Sequence, residues 1–187
     1  MDLLDAFDTA WLEFDRRVHR VREDQWGEPT PCTAWTVRDL VNHLVGEHLW
    51  APWLLRGATL AEVGDRFDGD VLGDDPIAAW ERAAAESHAA FHRPGALDGH
   101  VDTSGGESPT TDYGWQMTTD LTVHAWDLAR GIGDDDTLGD ELAAAVYERV
   151  EPEAAGWQGS GLFAAPVPVP DGARAQDRLV ALLGRKP

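Results

Sequence analysis

Apolar residues first recur at helical spacing near the start of the chain, at Leu3, Leu4, Phe7, Trp11, Phe14, Val18 and Val21. Spacings of three and four mark one face of a helix, so an amphipathic helix is expected from about Asp2 to Glu23, with its Arg and Asp residues facing outward. Gly27, Pro29 and Pro31 then break any regular element. Thr36 followed by Asp39 is a capping box with Asp in the usual Glu position, and it opens a second helix through VRDLVNHLVGEHLWAPWLLRG, kinked near Pro52 and ended by Gly57. The Gly- and Asp-rich stretch 58–75 reads as a loop with room for one short helical turn.

Asp75 at the N-cap and Pro76 at the first helical position start a third helix that stops at Pro94-Gly95. Residues 95–112 lack periodicity and read as a long loop with one extended piece at 100–103. A fourth helix is expected from Tyr113 to Gly131 and a fifth from Leu138 to Val150. Beyond GWQGSGLF, the proline-spaced AAPVPVP reads as a strap laid across the helices, before a short last helix from Ala173 to Leu183. The fold class is therefore all-α: a four-helix bundle over residues 1–152, with a helical and extended tail over 153–187 packed against it.

Composition narrows the chemistry. Fifteen Lys+Arg against 34 Asp+Glu give a net charge of −19, a field that repels nucleic acid and anionic membranes alike. Lys186 is the only lysine, which removes Schiff-base and Walker-type chemistry from the interior. The single Cys32 allows neither an internal disulfide nor a CxxC site. No apolar run approaches membrane-spanning length and the N-terminus lacks a basic signal region, so a cytoplasmic protein is expected.

Bundles build metal sites from inward side chains at spacings of three and four. Three segments carry such pairs: His43 with Glu47, His88 with His92, and Asp120 with His124, followed by Asp127. At 100° per residue, Asp120, His124 and Asp127 fall within about 60° of one another, beside Leu121 and Leu128. His43 borders Leu40 and Leu44 in the same way. One nitrogen from His43 and an oxygen and a nitrogen from Asp120 and His124 make a three-ligand site with an open position, a pattern suited to Zn²⁺ or another borderline divalent ion. An ordinary hydrogen-bonded core remains the other reading of these residues. Glu47 is read as solvated, with a supporting or ligand role as the alternative, and Asp127 as an acceptor orienting His124. His88 and His92 are read as an exposed face, and His19 and His48 as surface residues. Cys32 precedes His43 by more than the roughly 10 Å of helix that separates Thr36 from His43, so it is read as a small inert buried thiol.

The stretch PTPCTAWTVRDLVNHLVGEH resembles the N-terminal domain of mycothiol-dependent maleylpyruvate isomerases, within the DinB/YfiT-like superfamily. DLTVHAWDLARG resembles the second metal-binding stretch of that family, and GLFAAPVPVPDGARAQDRLVALLGRKP is similar to the tail of a short actinobacterial subgroup described as metal-binding. The resemblance implies a DinB-like bundle holding a divalent metal, Zn²⁺ first and Ni²⁺ or another ion as alternatives. His43 and His124 match the family's histidines by motif, and Asp120 takes the acidic position where relatives usually have Glu or His. It further implies a low-molecular-weight thiol of the mycothiol type as cosubstrate, an electrophile as the other substrate, and a homodimer as one assembly. The best-known isomerases carry a separate C-terminal domain where this chain has a short tail, so the isomerase reaction itself is not expected to carry over. A thiol-dependent transferase or isomerase, a metal-dependent hydrolase and a bundle that binds metal without turnover all stay open. Arg38 and Arg130 are the basic residues near the motifs.

Overall fold

The computed structural model describes residues 1–32, 34–157 and 163–187. Its helices are α1 (Leu3–Val18), α2 (Val37–Leu54), α3 (Leu60–Val63), α4 (Pro76–Phe91), α5 (Thr110–Ile132), α6 (Asp140–Trp157) and α7 (Ala175–Leu182). Strands β1 (His100–Thr103) and β2 (Gly106–Pro109) form one antiparallel hairpin, pairing His100 with Pro109 and Thr103 with Gly106. The all-α expectation holds. Helix α1 packs chiefly on α5 and α2 on α4, with α2 also against α5, which makes the bundle. Helix α6 lies on α5, and α7 on α6. No helix among the described residues is long and apolar enough to cross a membrane.

Helix starts follow the local chemistry. The Thr36 hydroxyl accepts from the Asp39 backbone N–H while the Asp39 carboxylate accepts from the Thr36 N–H at 2.9 Å. Asp75 caps α4 ahead of Pro76. Such caps contribute about 1 kcal/mol each, but here their larger effect is to fix where α2 begins and so the rotation of His43. Helix α5 is the central element: most of its residues are buried, and it ends at Gly133, whose φ of +70° suits a left-handed C-cap.

Several boundaries differ from the sequence reading. Helix α1 stops at Val18, and a short 3-10 turn (Glu23–Gln25) takes over. The 95–112 loop holds a hairpin rather than one extended piece, and α5 begins at Thr110 because Pro109 ends β2. Helix α6 continues through Pro152 to Trp157. GWQGSGLF falls largely outside the described residues. The proline-spaced strap runs along α7, where the Val167 N–H donates to the Ala181 carbonyl at 2.8 Å.

Two polar residues expected outside are in the core. Arg17 is fully buried; its guanidinium donates to the carbonyls of Glu13, Asp135 and Thr137, so its charge closes the α5–α6 turn onto α1. His48 is also fully buried, against Phe7 and Trp80. It follows Leu44 by four residues and precedes Ala51 by three, on the apolar stripe of α2.

Candidate metal centre

Helices α2 and α5 bring His43, Asp120 and His124 together. Asp120 bridges the two imidazoles: its Oδ2 lies 2.7 Å from His43 Nε2 and its Oδ1 lies 3.3 Å from His124 Nε2. One nitrogen or oxygen from each residue falls within 4.8 Å of the others. The imidazoles meet edge to face, with centroids 5.4 Å apart. His124 is nearly enclosed, whereas the side chains of His43 and Asp120 keep 28% and 27% exposure.

His43 also lines a cleft of about 440 Å³, together with Asn42, Gly46, Glu47, Trp50 and Phe67, among others. Asn42 shapes its far wall, donating to the Gly69 carbonyl and accepting from the Val71 N–H, both at 2.9 Å. The sequence reading left Glu47 between solvent and site. It lines the cleft one turn beyond His43.

Electrostatics tie these groups together. Burial alone would push the Asp120 carboxyl up, but the flanking imidazoles outweigh it and hold the group well below the usual carboxylate range. Burial would lower His124, yet Asp120 and then Asp127 carry it up to about 9. His43 rises for the same reason, Asp120 overcoming burial. Glu47 is pushed up by burial and then by the negative charge of Asp120.

Support comes from behind. Asp127 makes the contact expected of it: His124 Nδ1 lies 3.0 Å from Asp127 Oδ2. Because a carboxylate only accepts, Nδ1 carries a hydrogen, and Nε2 faces Asp120. Two parts of this arrangement were missed in the sequence. Arg185, after α7, is buried against Asp127 and donates to both of its oxygens. Trp35 packs over both imidazoles, with centroids 4.8 Å from His43 and 5.5 Å from His124. The 29–36 loop places Trp35 there: Pro29 bridges Thr36, and the Trp35 carbonyl accepts from the Thr30 N–H at 3.2 Å and hydroxyl at 2.9 Å.

The same loop corrects the reading of Cys32. Its thiol is half-buried and lies within electrostatic reach of Arg185, Asp127 and Asp120, because the loop folds back instead of extending away from α2. Burial raises the thiol, which opposes thiolate formation. Arg38 and Arg130 form surface ion pairs with Asp70 and Asp136. His19 is on the surface as expected, paired with Glu81. His88 and His92 stand at the rim of the bundle, but converge on Asp8 of α1.

Comparison with known proteins agrees with this architecture. A crystal structure of a histidine-to-alanine mutant of mycothiol-dependent maleylpyruvate isomerase superposes with a TM-score of 0.66, covering 94% of this chain and 80% of that one at 17% identity. Two uncharacterized proteins of Mycobacterium tuberculosis, MT0763 and Rv0738, are each 37% identical over 99% of this chain and 98% of their own length. Residues 7–129, from the first turns of α1 almost to the end of α5, match the mycothiol maleylpyruvate isomerase N-terminal domain, and with them both helices that carry the His–Asp–His group: the chain belongs to that family.

Proposed function

We propose that the protein is a divalent-metal-dependent enzyme that uses a low-molecular-weight thiol of the mycothiol type to attack a small electrophile. The observation that carries the reading is the convergence of His43 Nε2, the Asp120 carboxylate and His124 Nε2 beside a cleft that His43 and Glu47 line. The donor set fits the group: two imidazoles and one carboxylate are catalytic-type ligands for Zn²⁺ and similar ions, and one ligand atom from each lies within 4.8 Å of the others. When bound, such an ion lowers the pKa of a coordinated thiol, so that thiolate is available near neutrality.

The chain's own residues supply the rest. Asp127 fixes the tautomer and orientation of His124, and Trp35 packs against both imidazoles. Glu47, whose carboxyl is raised by burial, is placed to accept the proton that the entering thiol sheds at sulfur and to return it to the product. Family membership and the likeness in fold to mycothiol-dependent maleylpyruvate isomerase support the thiol as cosubstrate.

The test is turnover by Zn²⁺-loaded protein against a panel of electrophiles with and without mycothiol. The expected result is a rate that requires both the metal and the thiol. It should disappear in His124→Ala while far-UV helicity is kept, and fall in Glu47→Gln with metal binding retained. Hydrolysis without thiol would replace this reading with the hydrolase, and metal uptake with no rate above background would replace it with the binding protein.

A further inference from the structure

A second group of metal-ligating side chains stands where α1 meets α4 and shares no residue with the centre described above. His88 lies in the last turn of α4 and His92 caps it, so their spacing of four stacks the imidazoles, with centroids 4.2 Å apart and planes 18° from parallel. Asp8 of α1 faces both. Its Oδ1 is 3.0 Å from His88 Nε2 and 3.2 Å from His92 Nε2.

Hydrogen bonding alone leaves this contact unexplained. Asp8 Oδ1 is shielded from water, yet it accepts no hydrogen bond among the described residues. The contacts to the two imidazoles are short but do not have hydrogen-bond geometry. His92 Nδ1 lies 2.9 Å from the His88 carbonyl, which can only accept, so Nδ1 carries a hydrogen and Nε2 is the ring atom turned toward the carboxylate. A cation bound by Asp8 Oδ1 and both Nε2 atoms satisfies the carboxylate oxygen and the two rings at once.

We infer that Asp8, His88 and His92 form a second divalent-cation site that ties α1 to α4. The observed separations approach the roughly 3.3 Å donor–donor edge of a tetrahedral Zn²⁺ site, and two imidazoles with one carboxylate select ions of the Zn²⁺ and Co²⁺ class over Mg²⁺ or Ca²⁺. The C-terminus of α4 adds the negative end of its dipole. Side-chain exposures of 42% for Asp8, 38% for His88 and 32% for His92 leave the ion an entry path. Phe7 and Trp11 pack around His88 and hold its ring against the seam. An ion shared between two helices that pack directly on each other acts as a staple, stabilising the folded chain by mass action.

Co²⁺ titration of the full chain tests the inference through stoichiometry, visible spectrum and melting temperature. Wild-type protein is expected to take up two equivalents. His124→Ala should retain one, with a four-coordinate Co²⁺ spectrum and a melting temperature that rises on adding Zn²⁺. His92→Ala, the Asp8→Asn variant and the His88→Ala/His92→Ala pair should each lose that equivalent and its thermal shift, while keeping the ion bound through His124. Unchanged Co²⁺ uptake in the His88→Ala/His92→Ala and Asp8→Asn variants would overturn the inference, as would a His124→Ala protein that binds no Co²⁺. If His124→Ala instead leaves both equivalents in place while His92→Ala removes one, this site stands and the proposed catalytic centre falls.

Discussion

Arg185 clamps Asp127. Its Nη2 donates to Asp127 Oδ2 at 2.8 Å and its Nε to Oδ1 at 3.3 Å, both partners being buried. Oδ2 also accepts from His124 Nδ1, so a residue of the tail sets the orientation of an imidazole on the central helix. The α6–α7 unit is thereby part of the candidate centre as well as a cover for the bundle.

Replacing Arg185 by Met keeps the aliphatic stem but leaves the Asp127 carboxylate buried without its guanidinium. Breaking such a pair from one side is costly because the remaining charge stays desolvated, and the expected loss is on the order of 3 kcal/mol in urea unfolding. The same variant should weaken divalent-ion binding at His43, Asp120 and His124 by about 10–100-fold in a chelator competition, the usual effect of losing a group that orients a ligand.

Gly184 holds the turn that delivers Arg185. Its φ is +81°, and a Cβ there would lie 2.6 Å from Ala164 Cβ and 2.7 Å from the Ala164 carbonyl oxygen. Gly184→Ala therefore adds a clash with backbone to conformational strain, and should cost about 2–3 kcal/mol. Gly133→Ala separates the two effects. Its φ of +70° is similar but nothing lies within 4 Å of the added atom, so only about 1 kcal/mol is expected. Equal losses in thermal or urea unfolding would show that the contact with the strap contributes nothing.

The sequence carried the bundle because its signals are local. Helical spacing in α1, the Thr36–Asp39 box and the Asp75-Pro76 start are each set by neighbours within one turn, and so is the placement of Asp120, His124 and Asp127 on one face. What it did not show depends on long-range contacts. Arg17 looks like a surface cation until the carbonyls of Asp135 and Thr137 arrive from the α5–α6 turn. Arg185 is 58 residues from Asp127. The site over Asp8 needed the α1–α4 packing, although the spacing of His88 and His92 was visible. His48 is different: its place on the apolar stripe was legible, and the polarity of histidine argued wrongly against it.

That burial has a consequence for acid stability. Neither ring nitrogen of His48 finds a hydrogen-bond partner among the described residues, and burial pulls its pKa down to about 3. The unfolded chain binds a proton near pH 6.5 that the folded chain refuses. Stability should therefore be intact above about pH 6.5 and fall as pH drops from there towards 3. His48→Leu fills similar space without a titrating group; it should be neutral or stabilising by about 1 kcal/mol at pH 7 and should flatten this part of the stability–pH curve. A curve with unchanged slope would mean that His48 charges without unfolding the core.

Metal uptake at the His43–Asp120–His124 group should release protons. In the metal-free protein the folded pKa of His124 is raised to about 9, so near pH 7.5 its imidazole is charged and Nε2 is not free to ligate. His43 is raised in the same direction by the same carboxylate. Binding must expel that charge, and apparent Zn²⁺ affinity should climb with pH up to about 9 and level off above it. Calorimetric titrations at pH 7.5 in buffers of different ionisation enthalpy measure the release directly, and His88→Ala/His92→Ala protein confines the signal to this group. The same raised pKa stabilises the metal-free fold fully below the unfolded value near 6.5, and that contribution is lost as pH rises through about 9. Zn²⁺ should thus protect the protein most on the alkaline side, where the imidazolium–carboxylate attraction has gone and the ligand nitrogens are free. Asp120→Asn removes the larger cause of the shift while Asp127 keeps its part, so it should shrink the alkaline loss of stability in the metal-free protein.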